Sequence, residues 1–303
     1  MTLKLYLPFK TFSEDGLKLL KEVFQVEIGK RPRTKEELIA LFKDYDCVII
    51  GAREEVTKDM VKDCRLKVLG VLGYPSKVEV EELEKLGIKV FHTAGVNADA
   101  VAEHTLALIL ALAKNIVSLD KCVRNKDWSN RLSTFEVKGK ILGLIGAGPI
   151  ATKVAELARC LGMKVYFWTP HPSKHKDMPA KYLPLDELLG ASDFISLHLA
   201  LVKETQNFFN ADKIAKMKDG SYFINTSRGE LVDEPALISA LKSGKLKGAA
   251  LDVFKNEPNM NEEFLSLGNV ILTPHVAGLA EEAREKMDLH LAREIVNYVK
   301  INL

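Results

Sequence analysis

The chain has 303 residues, 47% of them hydrophobic and 28% charged, with a formal net charge of +2. That balance describes a globular protein long enough for two domains with separate cores, and it lacks the global basic bias that nucleic acid selects. No run approaches the ~18 apolar residues of a membrane span, and residues 1–10, with Lys4, Pro8 and Lys10, do not read as the core of a signal peptide. A cytoplasmic protein with neither nucleic acid nor membrane as partner is expected. Cys47, Cys64, Cys122 and Cys160 are scattered without metal-ligand spacing, so reduced thiols are expected rather than a metal site or disulfides.

In chain order, strand-like and amphipathic helical runs alternate over 3–7, 13–23, 36–42, 47–50, 58–63, 68–72, 79–86 and 88–91. This β/α alternation implies a parallel sheet covered by helices on both faces. Residues 97–116 read as one long helix rich in Ala and Leu, apolar round most of its circumference, and therefore as a crossover buried between two domains. A second alternating block starts at Lys140, with strands at 141–145, 164–168, 194–197, 222–225, 249–252 and 270–272. Residues 281–300 read as a single helix that packs back on the first domain. The expected division is 1–95 with 281–303 against 96–280.

The stretch 140–151, K-I-L-G-L-I-G-A-G-P-I-A, joins a doubly buried apolar strand to a phosphate turn. Gly146 and Gly148, with Pro149 and Ile150 beside them, allow a tight turn and close approach of a pyrophosphate, Ala151 takes the third small position, and the helix that follows, read over 154–161, offers N–H groups to the anion. A Gly-x-Gly pair alone is also an ordinary turn. Here a strand precedes it, a helix follows, and a second apolar strand comes about twenty residues later, which together point to a dinucleotide.

Three later strands end in residues with chemistry. Arg228 follows 222–225 directly, and an arginine can hold a carboxylate through two parallel hydrogen bonds. Asp252 ends 249–252, with Glu257 five residues on, and His275 stands just beyond 270–272. Taken singly these are a surface arginine, a loop charge and a turn histidine. Together, on one sheet edge beside a nucleotide turn, they suit reduction of a 2-keto acid. Arg228 would anchor the substrate and His275 would donate a proton to its oxygen as hydride arrives, with Glu257 orienting the ring and favouring imidazolium.

The segments 143–151 (G-L-I-G-A-G-P-I-A), 224–234 (I-N-T-S-R-G-E-L-V-D-E), 250–258 (A-L-D-V-F-K-N-E-P) and 273–278 (T-P-H-V-A-G) resemble the D-isomer-specific 2-hydroxyacid dehydrogenase family. That family includes glyoxylate and hydroxypyruvate reductases, D-lactate dehydrogenases and phosphoglycerate dehydrogenases. The helix opening at 97–104, N-A-D-A-V-A-E-H, is similar as well. The resemblance implies an α/β architecture: a Rossmann domain, a doubly wound parallel sheet, plus a flavodoxin-like substrate domain completed by the C-terminal helix, assembled as a homodimer. It implies Arg228, Glu257 and His275 as the catalytic trio, Asp252 at the nicotinamide end of the cofactor, and Thr205 and Thr226 among the cofactor residues.

Two departures bear on specificity. Thr169 stands where the family's ribose-binding acid ends the second strand of the nucleotide domain, and His171, Lys174, His175 and Lys176 follow. Losing an acid that repels a 2′-phosphate and gaining base favours NADP(H), with NAD(H) possible. The substrate loop, where backbone N–H groups should meet the substrate carboxylate, reads Gly73, Tyr74, Pro75, Ser76, a stiffer turn than the family's glycine-rich one. The expected activity is reduction of a small 2-keto acid such as glyoxylate or hydroxypyruvate. The alternatives are an NAD-dependent phosphoglycerate or D-lactate dehydrogenase and, in another class, a nucleotide-sensing corepressor-like protein.

Overall fold

The computed structural model describes residues 2–129 and 131–303. It divides into two compact units, Met1–Asn97 with Leu279–Leu303, and Ala98–Gly278. Among the described residues no helix is long and apolar enough to cross a membrane.

The first unit runs β1 (Leu3–Leu7), α1 (Glu14–Lys21), β2 (Phe24–Ile28), α2 (Lys35–Asp44), β3 (Cys47–Gly51), β4 (Val68–Leu72), α3 (Val80–Lys85) and β5 (Lys89–His92). Its five strands are parallel in the order β2-β1-β3-β4-β5, the flavodoxin-like arrangement. Ser13 and Thr34 start α1 and α2 by accepting from Gly16 and Glu37 N–H. Strand β3 is buried throughout and shows how both faces are used. Val48 and Ile50 meet Leu38 and Phe42 of α2 and Leu83 of α3, whereas Cys47 and Ile49 join Leu20 of α1 and the C-terminal residues Leu291 and Ile295.

Two expectations change here. Residues 58–63 form only a 3-10 turn, Lys58–Val61. Strand β2 was not foreseen because it is an edge strand with one buried residue, Phe24, and so lacks the apolar run that marks an interior strand.

The second unit opens with α4 (Ala98–Ala113) and α5 (Ile116–Arg124). The helix expected over 97–116 is α4, ending at Ala113, and α5 beyond it was not foreseen. Asn115 adopts a left-handed conformation, φ +50°, and its side chain donates to the Ser133 carbonyl at 2.6 Å, breaking the helical ladder. There follow β6 (Ile141–Ile145), α6 (Pro149–Cys160), β7 (Lys164–Trp168), β8 (Lys181–Tyr182), α7 (Leu185–Ala191), β9 (Phe194–Leu197), α8 (Ala211–Lys216), β10 (Ser221–Asn225), α9 (Glu234–Ser243), β11 (Leu246–Leu251) and β12 (Val270–Leu272). Seven parallel strands lie in the order β12-β11-β10-β9-β6-β7-β8; the one beyond the six foreseen, β8, has two residues, too few to show a period. Helices α4 and α6 cover one face with Ile109, Leu112, Val154 and Ala158, and α7 to α9 cover the other with Leu188, Ile214 and Leu237. The winding reverses between β6 and β9, so the turn after β6 sits at the crevice where doubly wound sheets bind ligands.

The chain ends in α10 (Glu281–Asn302), which belongs to the first unit. Its buried stripe of Met287, Leu291, Ile295 and Val299 recurs every four residues. Gly70 of β4 lets it approach, since a Cβ there would stand 3.1 Å from Ile295 Cδ1 and 3.3 Å from Leu291 Cδ2. Asp288 Oδ2 accepts from Ser13 N–H at 2.8 Å, linking α10 to the start of α1.

Candidate active site

The two glycines of the turn after β6 have different reasons to be glycine. Gly146 has φ +115°, and a Cβ on it would stand 2.3 Å from the His198 carbonyl oxygen, so the fold itself demands it. Gly148, the N-cap of α6, has ordinary extended angles and no atom within 4 Å of where its Cβ would be. A side chain there would meet open space. Pro149 fills the first helical position without forfeiting a donor, and the Thr152 N–H makes the first helical bond, to the Gly148 carbonyl at 3.0 Å. Helix geometry leaves the N–H groups of Ile150 and Ala151 without intrahelical acceptors, the arrangement an anion uses.

At the end of β7, Thr169 is buried, while His171, Lys174 and Lys176 are exposed around the 3-10 turn Pro172–Lys174. Thr205 closes its own turn: its hydroxyl accepts from Val202 N–H at 2.8 Å and donates to the Ala200 carbonyl at 2.7 Å. Thr226 is buried with its hydroxyl 3.0 Å from that of Thr105 on α4. His198, after β9, is partly buried beside Gly146, and its Nε2 lies 3.0 Å from Ser196 Oγ. Burial holds that imidazole neutral by lowering its pKa to about 3.

The ends of β10, β11 and β12 form a continuous rim. Asn225 accepts from Ser227 N–H at 3.0 Å and donates to the Arg228 carbonyl at 2.9 Å, closing a turn that presents Arg228 half-buried, its Nη1 donating to the Ser227 carbonyl at 2.7 Å. Beyond β11, Glu257 Oε1 accepts from Phe254 N–H at 3.1 Å, and Oε2 lies 2.8 Å from His275 Nδ1. With Nδ1 engaged, Nε2 is the nitrogen left to face a substrate, on a side chain that is 28% exposed. His275 itself is left-handed, φ +57°, which costs a non-glycine residue about 1–2 kcal/mol. Asp252 holds it there. Its carboxylate is fully buried, with Oδ1 accepting from Thr273 Oγ1 at 2.6 Å and Val276 N–H at 2.9 Å, and Oδ2 from Ala277 N–H at 3.0 Å. Expected at the nicotinamide end of a cofactor, Asp252 spends three hydrogen bonds on the turn that carries the histidine. Among the described residues no group of His, Cys, Asp or Glu is placed to hold a metal.

In the first unit the turn at Gly73 to Ser76 spends two of its donors internally. Gly73, φ +116°, donates its N–H to Thr93 Oγ1 at 2.7 Å, and Ser76 N–H donates to the Tyr74 carbonyl at 2.9 Å. Pro75 has no N–H, and the Tyr74 side chain is exposed.

Residues 106–277 match the family described as D-isomer specific 2-hydroxyacid dehydrogenase, NAD binding domain. The chain is 36% identical over 302 residues to a glyoxylate reductase of Thermococcus litoralis, covering 95% of this chain and 91% of that one. The chain belongs to the D-isomer-specific 2-hydroxyacid dehydrogenase family. It is also 35% identical over 288 residues to a hydroxypyruvate reductase of Thermotoga maritima, covering 93% of this chain and 94% of the relative. Among solved structures it superposes on the acyclic imino acid reductase Bsp5, in complex with NADPH and D-Arg, with a TM-score of 0.90 and 30% identity over 99% of this chain and 97% of that one. The dehydrogenase is thus a nicotinamide-dependent oxidoreductase of 2-hydroxy and 2-oxo acids.

Sequence reasoning about this dehydrogenase passed over His104, whose Nε2 lies 3.2 Å from Thr273 Oγ1 and 3.8 Å from Asp252 Oδ1. It lies within 97–104, yet nothing local says that a residue 169 positions away is its partner. Asp252→Ala should strand three donors of the His275 turn, the Ala277 N–H buried and the other two partly so, at about 1 kcal/mol or more each, and release the turn. Urea unfolding should therefore show a loss of roughly 3 kcal/mol or more; a loss under about 1 kcal/mol would mean that the turn holds without its acceptor.

Proposed function

We propose that this dehydrogenase reduces a small 2-oxo acid, glyoxylate or hydroxypyruvate, with NADPH preferred over NADH. The observation that carries the reaction is the 2.8 Å pair of His275 Nδ1 and Glu257 Oε2 at a strand end of the sheet whose switch point forms a dinucleotide cradle. The cradle fits such a cofactor on steric grounds, because Gly148 opens on space where a side chain would stand. Gly146, Gly148, Pro149 and Ile150 would hold its pyrophosphate, Thr205 and Thr226 belong to the same cofactor-facing set, and Asp252 shapes the nicotinamide end. A bound nicotinamide supplies the hydride.

The chain's own residues supply the rest. Arg228 pairs with the substrate carboxylate and so orients the carbonyl. His275 gives a proton from Nε2 to the carbonyl oxygen, and the Glu257 carboxylate at Nδ1 orients the ring and stabilises its cationic form. The glyoxylate and hydroxypyruvate reductases among its relatives support this substrate class. The cofactor preference rests on Thr169 in place of an acid, with His171 and Lys174 supplying positive charge for a 2′-phosphate.

A homodimer is supported by α5. This helix has no buried residue, although Ile116, Val117 and Val123 are apolar and about half exposed, and Trp128 beyond it is 73% exposed. An amphipathic helix whose apolar side is left about half exposed by the described residues suits a second copy. The four cysteines are unpaired, which fits a reducing compartment, and we place the protein in the cytoplasm.

The test is steady-state turnover of glyoxylate, hydroxypyruvate and pyruvate, each with NADPH and NADH. Arg228→Lys loses the bidentate fork and should lower kcat/KM by on the order of 10²-fold, from the roughly 2–4 kcal/mol of a buried charged contact; near-parental turnover would remove Arg228 from the mechanism. Thr169→Asp should move the NADPH/NADH preference towards NADH, and an unchanged ratio would sink the electrostatic explanation. Light scattering should give the parent twice the mass of one chain and Val117→Asp the mass of one; a monomeric parent rules the dimer out.

A further inference from the structure

The arm that carries Arg228 and the loop that carries Glu257 meet at one peptide, Phe254–Lys255. From the arm side, Gly229 lies against it so closely that a Cβ would stand 2.0 Å from the Phe254 carbonyl carbon and 2.4 Å from the Lys255 nitrogen. The Lys255 N–H donates to Oε1 of Glu234 at 2.9 Å, a carboxylate buried in the first turn of α9. One residue earlier, Phe254 N–H donates to Glu257 Oε1, the oxygen that does not face His275. The Lys255 ammonium adds an outer tie, donating to Asn207 Oδ1 at 2.7 Å, while Asn207 N–H donates to the Glu230 carbonyl at 2.9 Å.

Glu234 lies in the first turn of α9, where an acid is favourable, but it is not the cap of that helix. Asp233 already caps α9 by accepting from Ala236 N–H at 3.2 Å. Burying a carboxylate costs free energy, and burial pushes the Glu234 pKa up. A buried acid whose contact is a loop N–H twenty-one positions away is explained if the place of that loop matters.

We propose that Glu234 and Gly229 are positioning residues for hydride transfer, together clamping the Phe254–Lys255 peptide so that Arg228 and the Glu257–His275 pair keep one separation. The inference rests on the assignment of Arg228, Glu257 and His275 above and adds two residues that need touch neither substrate nor cofactor. Ordinary contact begins near 3.4 Å, so a methyl group on Gly229 must move the peptide by more than an ångström. Displacements of that size at a reacting centre cost about 10²-fold in rate.

The experiment compares kcat, KM and the reduced-cofactor Kd of the parent with those of Glu234→Gln, Glu234→Asp and Gly229→Ala, using whichever 2-oxo acid the parent turns over. Gln keeps an acceptor oxygen at the same reach and should stay within about threefold of the parent. Asp keeps the charge but falls one methylene short. It should lose about tenfold or more in kcat while the cofactor Kd, set at the cradle after β6, stays within about twofold. Gly229→Ala should lose about 10²-fold; should it fail to fold, the Glu234 pair still decides. An Asp variant equal to the parent, or a Gln variant as impaired as Asp, overturns the proposal. A parent that turns over no 2-oxo acid with either cofactor instead overturns the functional reading and this inference with it.

Discussion

A single buried carboxylate, that of Asp252, governs the rim on which the candidate chemistry stands. It accepts from Thr273, Val276 and Ala277, all on the turn that holds His275 in a left-handed conformation. An ion sealed from water is tolerated only when donors surround it, and in a low-dielectric interior those bonds are strong and directional. The turn therefore has little freedom to relax. Through Thr273 the same network reaches His104 on α4, so the helix that covers the sheet and the loop that ends β12 hold one register.

The parallel sheet explains why so few residues suffice. Its strands all end on one edge, so residues far apart in sequence are delivered to neighbouring strand ends without any long loop having to find them. The β6 end provides a cradle whose openness at Gly148 makes sense beside a ligand, the β7 end bears exposed cationic side chains, and the β10 to β12 ends carry Arg228, Glu257 and His275. The exposed cationic side chains and the His275–Glu257 pair thus stand at different strand ends of one edge.

The first unit follows the same architecture with a different emphasis. Its sheet is closed on one face by α10, a helix from the far end of the chain that comes close because Gly70 has no side chain. In its Gly73 to Ser76 turn the Gly73 and Ser76 N–H groups are taken by Thr93 Oγ1 and the Tyr74 carbonyl, and Pro75 has none.

Local signals made most of the elements legible. Short apolar runs alternating with amphipathic ones marked the interior strands, and the Gly146–Gly148 turn between a strand and a helix marked the nucleotide edge. Strands β2 and β8 were not legible, being an edge strand and a two-residue pair, and the break at Asn115 depends on a bond to Ser133 that no periodicity encodes. By itself the sequence determined the α/β class, the order of strands and helices, and the residue types at the rim, because each depends on near neighbours in the chain. Only the tertiary structure decided that Asp252 serves the His275 turn, that Gly229 and Glu234 grip the loop of Glu257, and that the Gly73 N–H is taken by Thr93. Those facts depend on how strands distant in sequence align once their apolar faces are buried, and on which buried polar groups must then find partners.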